Sequence, residues 1–217
     1  MMMCNAVLAV LVCVAASLLC VAPALAYNPD NSVAWADDRW NDHDDSHFPG
    51  YIDNNHDCTN YASACIFYGG VQRDDDWYCY KITYNTYNRS LEWDNAQNMR
   101  LYFWGKSGVS EVGGGYAFDP NLRSQYGFAY PNNDIAMIRG DVVSINWHKN
   151  SDNTTDHTEF GVGYGTSRYN ASYTGDLIDQ RGSDRLHAIW SCADRMTPSD
   201  RADMVLRVWH ISDSFTN

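Results

Sequence analysis

The chain is short of proline and of positive charge: 6 Pro in 217 residues, and 15 Lys and Arg against 27 Asp and Glu. Few prolines among plentiful Trp, Tyr and Phe exclude a disordered chain, which would lack the aromatic surface needed for a core. Residues 1–26 contain no Asp, Glu, Lys or Arg, so the whole formal charge of −12 falls on 27–217. An acidic domain of this kind is repelled by nucleic-acid phosphates and by anionic lipid, and neither is expected as a partner. No internal repeat and no Gly/Ser- or Pro-rich linker divides 27–217, which reads as a single domain long enough to bury its own core.

The uncharged start has a purpose of its own. Residues 6–22 form an almost unbroken apolar run closed by Ala24-Leu25-Ala26, the small-x-small pattern that a signal peptidase accepts. The run is short for a membrane span and acidic, aromatic-rich sequence follows at once. Leu19 stands before Cys20 where a lipoprotein anchor needs a small residue. Residues 1–26 are therefore expected to be a cleaved secretory signal, leaving a secreted domain without a membrane anchor.

Four cysteines lie beyond that leader: Cys58, Cys65, Cys79 and Cys192. Their spacing fits no zinc pattern of paired C-x-x-C ligands, and export permits a disulfide. Cys65 lies two turns from Cys58 on one helix face and reads as core, which makes Cys79–Cys192 the expected bridge. An acid cluster, Asp37, Asp38, Asp42, Asp44 and Asp45 with His43 and His47, could hold a cation through its carboxylates. It lacks the glycine and closing glutamate of helix-loop-helix calcium loops, and a solvated face is the simpler reading.

Local patterns sketch the elements. Ser32 precedes Val33, Ala34, Trp35, Ala36 and Trp40 at helical spacing, predicting an opening helix capped by Ser32. Asp57 to Tyr68 places Cys58, Tyr61, Ala62, Cys65 and Ile66 on one face, with Asp57 as cap and Gly69-Gly70 as stop. Trp93–Tyr102 has helical character. Gly113-Gly114-Gly115 and Pro131-Asn132-Asn133 read as turns. Strands are predicted for Val142–Trp147, His157–Gly165, Leu177–Gln180 and Met204–His210. Helices first and antiparallel strands after give an α+β layout.

One thiol is placed for chemistry. Cys58 at a helix N-terminus feels the positive end of the helix dipole, which favours thiolate, and unpaired N–H groups there point where an oxyanion would form. A histidine opening a later strand, His157, could lie beside it as cysteine–histidine hydrolases require.

Asp57-Cys58-Thr59-Asn60-Tyr61-Ala62-Ser63 with Gly69-Gly70 resembles the D-C-T-N-F-x-S…G-G motif of the bacterial Putative amidase domain family, which is grouped with CHAP-type cysteine amidases and peptidases. The likeness continues through Tyr27-Asn28, Trp77-Tyr78, Ser90–Trp93 with Asn95-Ala96, Gly140-Asp141 and Asp156-His157, covering about residues 27–185. It implies a papain-like α+β fold in which an N-terminal helix carrying the cysteine packs on an antiparallel sheet carrying the histidine. It also implies Cys58 as nucleophile, His157 as general base, and no metal or organic cofactor. Asp57 is the helix cap beside an oxyanion site formed by the Cys58 N–H.

The family pattern has Leu-Ile-x-Gln-His where this chain reads Leu177-Ile178-Asp179-Gln180-Arg181. Arg181 has only donors and cannot orient the base by accepting its proton. Asp179, sharing a strand face with residue 181, is the expected replacement, whereas Gln180 is expected to point away. The resemblance thus implies a secreted cysteine hydrolase acting on amide bonds of cell-wall peptidoglycan. The alternative raised by Arg181 is a binding module that keeps the fold without turnover.

Overall fold

The computed structural model describes residues 26–53, 57–117, 137–148 and 154–215. The expected signal sequence lies outside the described residues except for Ala26, as does the turn expected at Pro131–Asn133. No helix among the described residues is long and apolar enough to cross a membrane.

The opening helix α1 is Pro29–Arg39. Its cap is Asn28 rather than Ser32: the Asn28 side chain accepts from the Asp30 and Asn31 amides, and proline occupies the first turn, where its missing N–H costs nothing. Ser32 is freed for a tertiary role, donating to the Cys65 carbonyl at 2.6 Å.

Helix α2, Asp57–Tyr68, is buried without interruption from Asp57 to Ile66. It ends on the two glycines, each for a different reason. A Cβ on Gly69 would lie 2.2 Å from the Ser32 hydroxyl and 2.6 Å from the Tyr27 ring, so Gly69 is what lets α1 approach. Gly70, at φ 109°, makes the left-handed turn that stops the helix. The Asn28 amide then donates to the Gly69 carbonyl at 2.7 Å, closing the α1–α2 pair.

A two-stranded hairpin follows, β1 Cys79–Thr83 with β2 Thr86–Arg89, then short helices α3 Leu91–Asp94 and α4 Ala96–Phe103, capped by Ser90 and Asn95. The remaining strands are β3 Val109–Ala117, β4 Val142–Asn146, β5 His157–Thr166, β6 Thr174–Gln180, β7 Arg185–Ile189 and β8 Val205–Ile211. They form one antiparallel sheet in the order β3-β8-β4-β5-β6-β7. The α+β expectation holds at this level, with helices preceding an antiparallel sheet.

Two local expectations change. Gly113–Gly115 is not a turn but part of β3, where the register against β8 shifts on both sides of Gly113; glycines inside a strand mark such irregularities. No disulfide joins Cys79 to Cys192, since all four cysteines are free thiols. Cys79 opens the β1–β2 hairpin while Cys192 follows β7 and sits beside Glu159, so the fold holds them in different surroundings.

The helices and the sheet are tied at both ends of the chain segment between them. The Tyr27 hydroxyl donates to the Gly140 carbonyl at 2.7 Å, anchoring the start of α1 to the turn that enters β4. Gly140 has φ +92°, and a Cβ there would lie 2.5 Å from the Tyr27 hydroxyl and 2.8 Å from the Pro29 side chain. Gly105 has a similar φ of +91° with nothing within 4 Å. Gly140→Ala is therefore expected to cost more than the roughly 1–3 kcal/mol of a strained backbone position alone, whereas Gly105→Ala should stay within that range. Urea denaturation of both variants measures the difference, and equal losses would remove the crowding argument.

Candidate active site

The polar residues of α2 would be costly to bury without partners, and each has one on a different element. Asp57 accepts from the Ile52 amide at 2.9 Å and the Asn60 amide nitrogen at 2.8 Å. Thr59 shares a 3.0 Å hydroxyl bond with Thr158 on β5. Asn60 accepts from the Trp93 indole at 2.8 Å and donates to the Gly50 carbonyl. The Tyr61 hydroxyl donates to Ala36 on α1 at 2.9 Å. Ser63 accepts from the Trp77 indole and donates to the Trp93 carbonyl. The exception is Cys58, whose sulfur contacts only groups that would serve a reaction.

The Thr59–Thr158 bond sets the geometry, because those residues are the immediate neighbours of Cys58 and His157. It holds the N-terminal turn of α2 against the first residues of β5. The Cys58 thiol and the His157 ring are then near enough to act on one another electrostatically, with the Thr59 hydroxyl 3.7 Å from the sulfur and the Thr158 backbone also favouring its charge. Asp57 is the first residue of α2 rather than its cap, and its carboxylate is spent on Ile52, Asn60 and Arg181. It does not reach the thiol.

Electrostatics separate this cysteine from the others. Burial alone would push the Cys58 thiol up, but the His157 charge and the Thr59 and Thr158 donors outweigh that and bring it below its ordinary value. Cys65 and Cys192 are pushed up strongly by burial, and Cys79 to about 11. Desolvation opposes a charged His157, yet the Cys58 thiolate, then Glu159 and Gln180, raise it to about 9. Each charge therefore favours the other, and the two groups bias one another toward thiolate and imidazolium.

The third residue differs from the expectation. Phe160 pairs across the β5–β6 ladder with Asp179. Cross-strand partners share a face, so Asp179 lies with Phe160, and Gln180 lies on the opposite face with Glu159 and His157. Accordingly Asp179 does not meet His157. It turns toward α1, where burial and the neighbouring Asp37 carboxylate push its carboxyl up. Gln180 lines the same cleft as Cys58 and His157. Its Oε1 and the His157 Nε2 are both buried without a hydrogen-bond partner. The amide nevertheless lies near enough to favour the protonated ring. Gln180 is itself steadied by donating to the Ser183 carbonyl at 2.8 Å.

Arg181 has another task. It lies under α2, 3.0 Å from the Asp57 carboxylate, donates to the Arg39 carbonyl at 2.7 Å and faces the Tyr61 ring. Both side chains are buried, so the guanidinium offsets part of the desolvation that pushes the Asp57 carboxyl up at the foot of the helix. Periodicity could not have revealed this, because Asp57 and Arg181 meet only through the packing of α2 on the sheet.

The cleft has a volume of about 420 Å³, with Cys58 at its base and Trp147, Asp156 and His157 on its wall. The Trp147 ring lies 5.6 Å from the His157 ring. Arg185 and Arg195 also face it. Arg195 is held by the buried Glu159 at 2.6 Å and by Asp194 at 3.1 Å.

The Putative amidase domain family model matches residues 26–205. The chain belongs to this family. Membership points to amide hydrolysis as the activity of this amidase-family domain, and so to a hydrolase. No curated protein and no solved structure matches the chain. The matched region ends where β8 begins, yet β8 lies inside the sheet between β3 and β4, so the amidase-family fold extends past the match.

Two outcomes are expected from these contacts. Iodoacetamide at pH 7 should label Cys58 at least about tenfold faster than Cys65, Cys79 or Cys192, since each pKa unit is tenfold in thiolate fraction. Peptide mass spectrometry reads the order, and uniform labelling would contradict the ion pair. Arg181→Met should lower stability by about 3–5 kcal/mol by leaving Asp57 buried and unpaired, with Asp57→Asn restoring part of the loss in the double variant.

Proposed function

We propose that the protein is a secreted cysteine hydrolase that cleaves amide bonds in bacterial cell-wall peptidoglycan. The observation that carries this reading is the lowered thiol of Cys58 beside the raised imidazole of His157 at the base of an open cleft. A helix bearing the thiol against an antiparallel sheet bearing the histidine supports a papain-like, CHAP-like reading, and family membership supports an amide substrate.

The steps follow from the charges. The Cys58 thiolate attacks the amide carbonyl carbon, and the negative charge passes to the carbonyl oxygen. The Cys58 N–H at the N-terminus of α2 is placed to donate to that oxygen. The imidazolium of His157 protonates the leaving amine as the C–N bond breaks, leaving an acyl-enzyme and a neutral ring. The neutral ring takes a proton from water, which attacks the thioester, releases the acid and returns the thiolate. Gln180 acts as a positioning residue that holds the His157 ring beside the sulfur and favours its protonated form.

Arg185 at the cleft offers a cation to a substrate with free carboxylates, as the stem peptides of peptidoglycan have. The binding-module alternative drew on Arg181. Its pairing with Asp57 accounts for that residue without loss of the site.

Purified 27–217 and its Cys58→Ala variant are to be incubated with intact peptidoglycan and the products identified by mass. Fragments released only by the native thiol are expected, and inertness of both proteins across several walls and pH values would overturn the proposal. The rate should rise as the thiol ionises, below the ordinary thiol range, and fall as His157 loses its proton near pH 9. Gln180→Ala should lower kcat by about 10–100-fold and move the alkaline limb to lower pH, because the amide supports the protonated ring.

A further inference from the structure

On the helix-covered face of the sheet, one position from Gln180 but turned away from the cleft, three side chains from three elements converge. They are Asp37 of α1, Asp179 of β6 and His187 of β7, whose ligand atoms all lie within 4.8 Å of one another. We propose that they form a binding site for a divalent first-row transition metal ion of the zinc type, separate from the thiol chemistry.

The argument starts from Asp179, which is 0 % exposed. One of its oxygens, Oδ1, accepts the His187 backbone N–H at 2.7 Å. The other, Oδ2, is buried and has no hydrogen-bond donor. A buried carboxylate oxygen without a donor is costly, and a neighbouring carboxylate adds to the cost. Here that neighbour is Asp37, whose Oδ1 lies 2.9 Å from His187 Nε2. Arg181 is committed to Asp57 and to the Arg39 carbonyl, and Arg168 acts on Asp179 only through its charge, without a hydrogen bond to Oδ2. A cation held between the carboxylates and the imidazole would satisfy Oδ2 and neutralise both acids.

The ligand set selects the class of ion. Two carboxylates and an imidazole suit zinc and its neighbours, whereas magnesium and calcium prefer oxygen alone. Tetrahedral ligands at about 2.0–2.2 Å from zinc stand roughly 3.4 Å apart; Asp37 and His187 stand 2.9 Å apart and all three ligand atoms lie within 4.8 Å, so small side-chain shifts would close the site. Three protein ligands leave a fourth position for water. His187 holds its ring there from a left-handed backbone at φ 53°, uncommon for a residue with a side chain. A bound ion would pin α1 to the β6–β7 hairpin, the strand pair that also carries Gln180.

The test uses chelator-stripped protein titrated with zinc chloride, read by equilibrium dialysis and by thermal unfolding. One equivalent is expected to bind, raising the midpoint by about 5–10 °C at zinc a hundredfold above its Kd, with calcium and magnesium ineffective at the same concentration. Asp37→Asn, an exposed position that should leave the fold intact, and His187→Asn, which tolerates a left-handed backbone, should each weaken binding at least tenfold. Cys58→Ala should bind as the parent does. No stabilisation by zinc, binding unaffected by Asp37→Asn and His187→Asn, or binding lost in Cys58→Ala would each overturn the proposal.

Discussion

Helix α2 carries Asp, Cys, Thr, Asn, Tyr and Ser in its first two turns and buries them all. Nothing about helix propensity favours that composition in a core, and the desolvation cost falls on every one of those groups unless a partner is supplied. The rest of the molecule supplies partners: Ile52, Gly50, Ala36, Trp77, Trp93, Thr158 and Arg181 come from the loop before α2, from α1, from the hairpin region, from α3, from β5 and from the end of β6. A helix satisfied from so many directions has one position and one rotation. That rigidity is what lets a thiol at its N-terminus meet a histidine on a strand far along the chain.

The site then runs on contrast between two faces of one sheet. Thr158, Asp179 and Arg181 belong to the face covered by α1 and α2, where charges are paired for support. His157 and Gln180 lie on the cleft side, where each is left with one ring nitrogen or one amide oxygen to offer the other. The glutamate next along this side, Glu159, is buried against Arg195, and burial pushes its carboxyl up to about 6. Its charge helps hold the imidazolium from behind. The thiol is thus lowered by neighbours in spite of its burial, while at Cys65, Cys79 and Cys192 burial outweighs the nearby arginines and pushes the thiols up.

Much of this was legible from residues alone. The spacing of Cys58, Tyr61, Ala62, Cys65 and Ile66 located α2 to within a residue, and the β-rich runs located β4, β5, β6 and β8. Errors came where a local signal had a tertiary competitor. Ser32 is a good cap by type, but Asn28 caps and Ser32 bonds to Cys65, since α1 begins earlier at a proline. Three successive glycines ordinarily mean a turn, yet β8 pairs with them across an irregular register. The β1–β2 hairpin and β7 went unread because their strands are only four or five residues long, β1 is exposed beyond Cys79, and β7 shows no alternation in burial.

The third-residue question shows where the division lies. Period two correctly put Asp179 and Arg181 on one face and Gln180 on the other, but parity cannot say which face looks into the cleft. The ladder pairing of Phe160 with Asp179 decides it, because a residue and its cross-strand partner point the same way. By itself the sequence determined the helix with the thiol at its start, the strand opened by His157, and the acidic, uniform character of the domain, all of which depend on near neighbours. Only the tertiary structure decided that Gln180 faces the imidazole, that Arg181 neutralises Asp57, and that Asp37, Asp179 and His187 converge. Those contacts join residues far apart in the chain, and their distances are set by how α1 and α2 pack on the sheet.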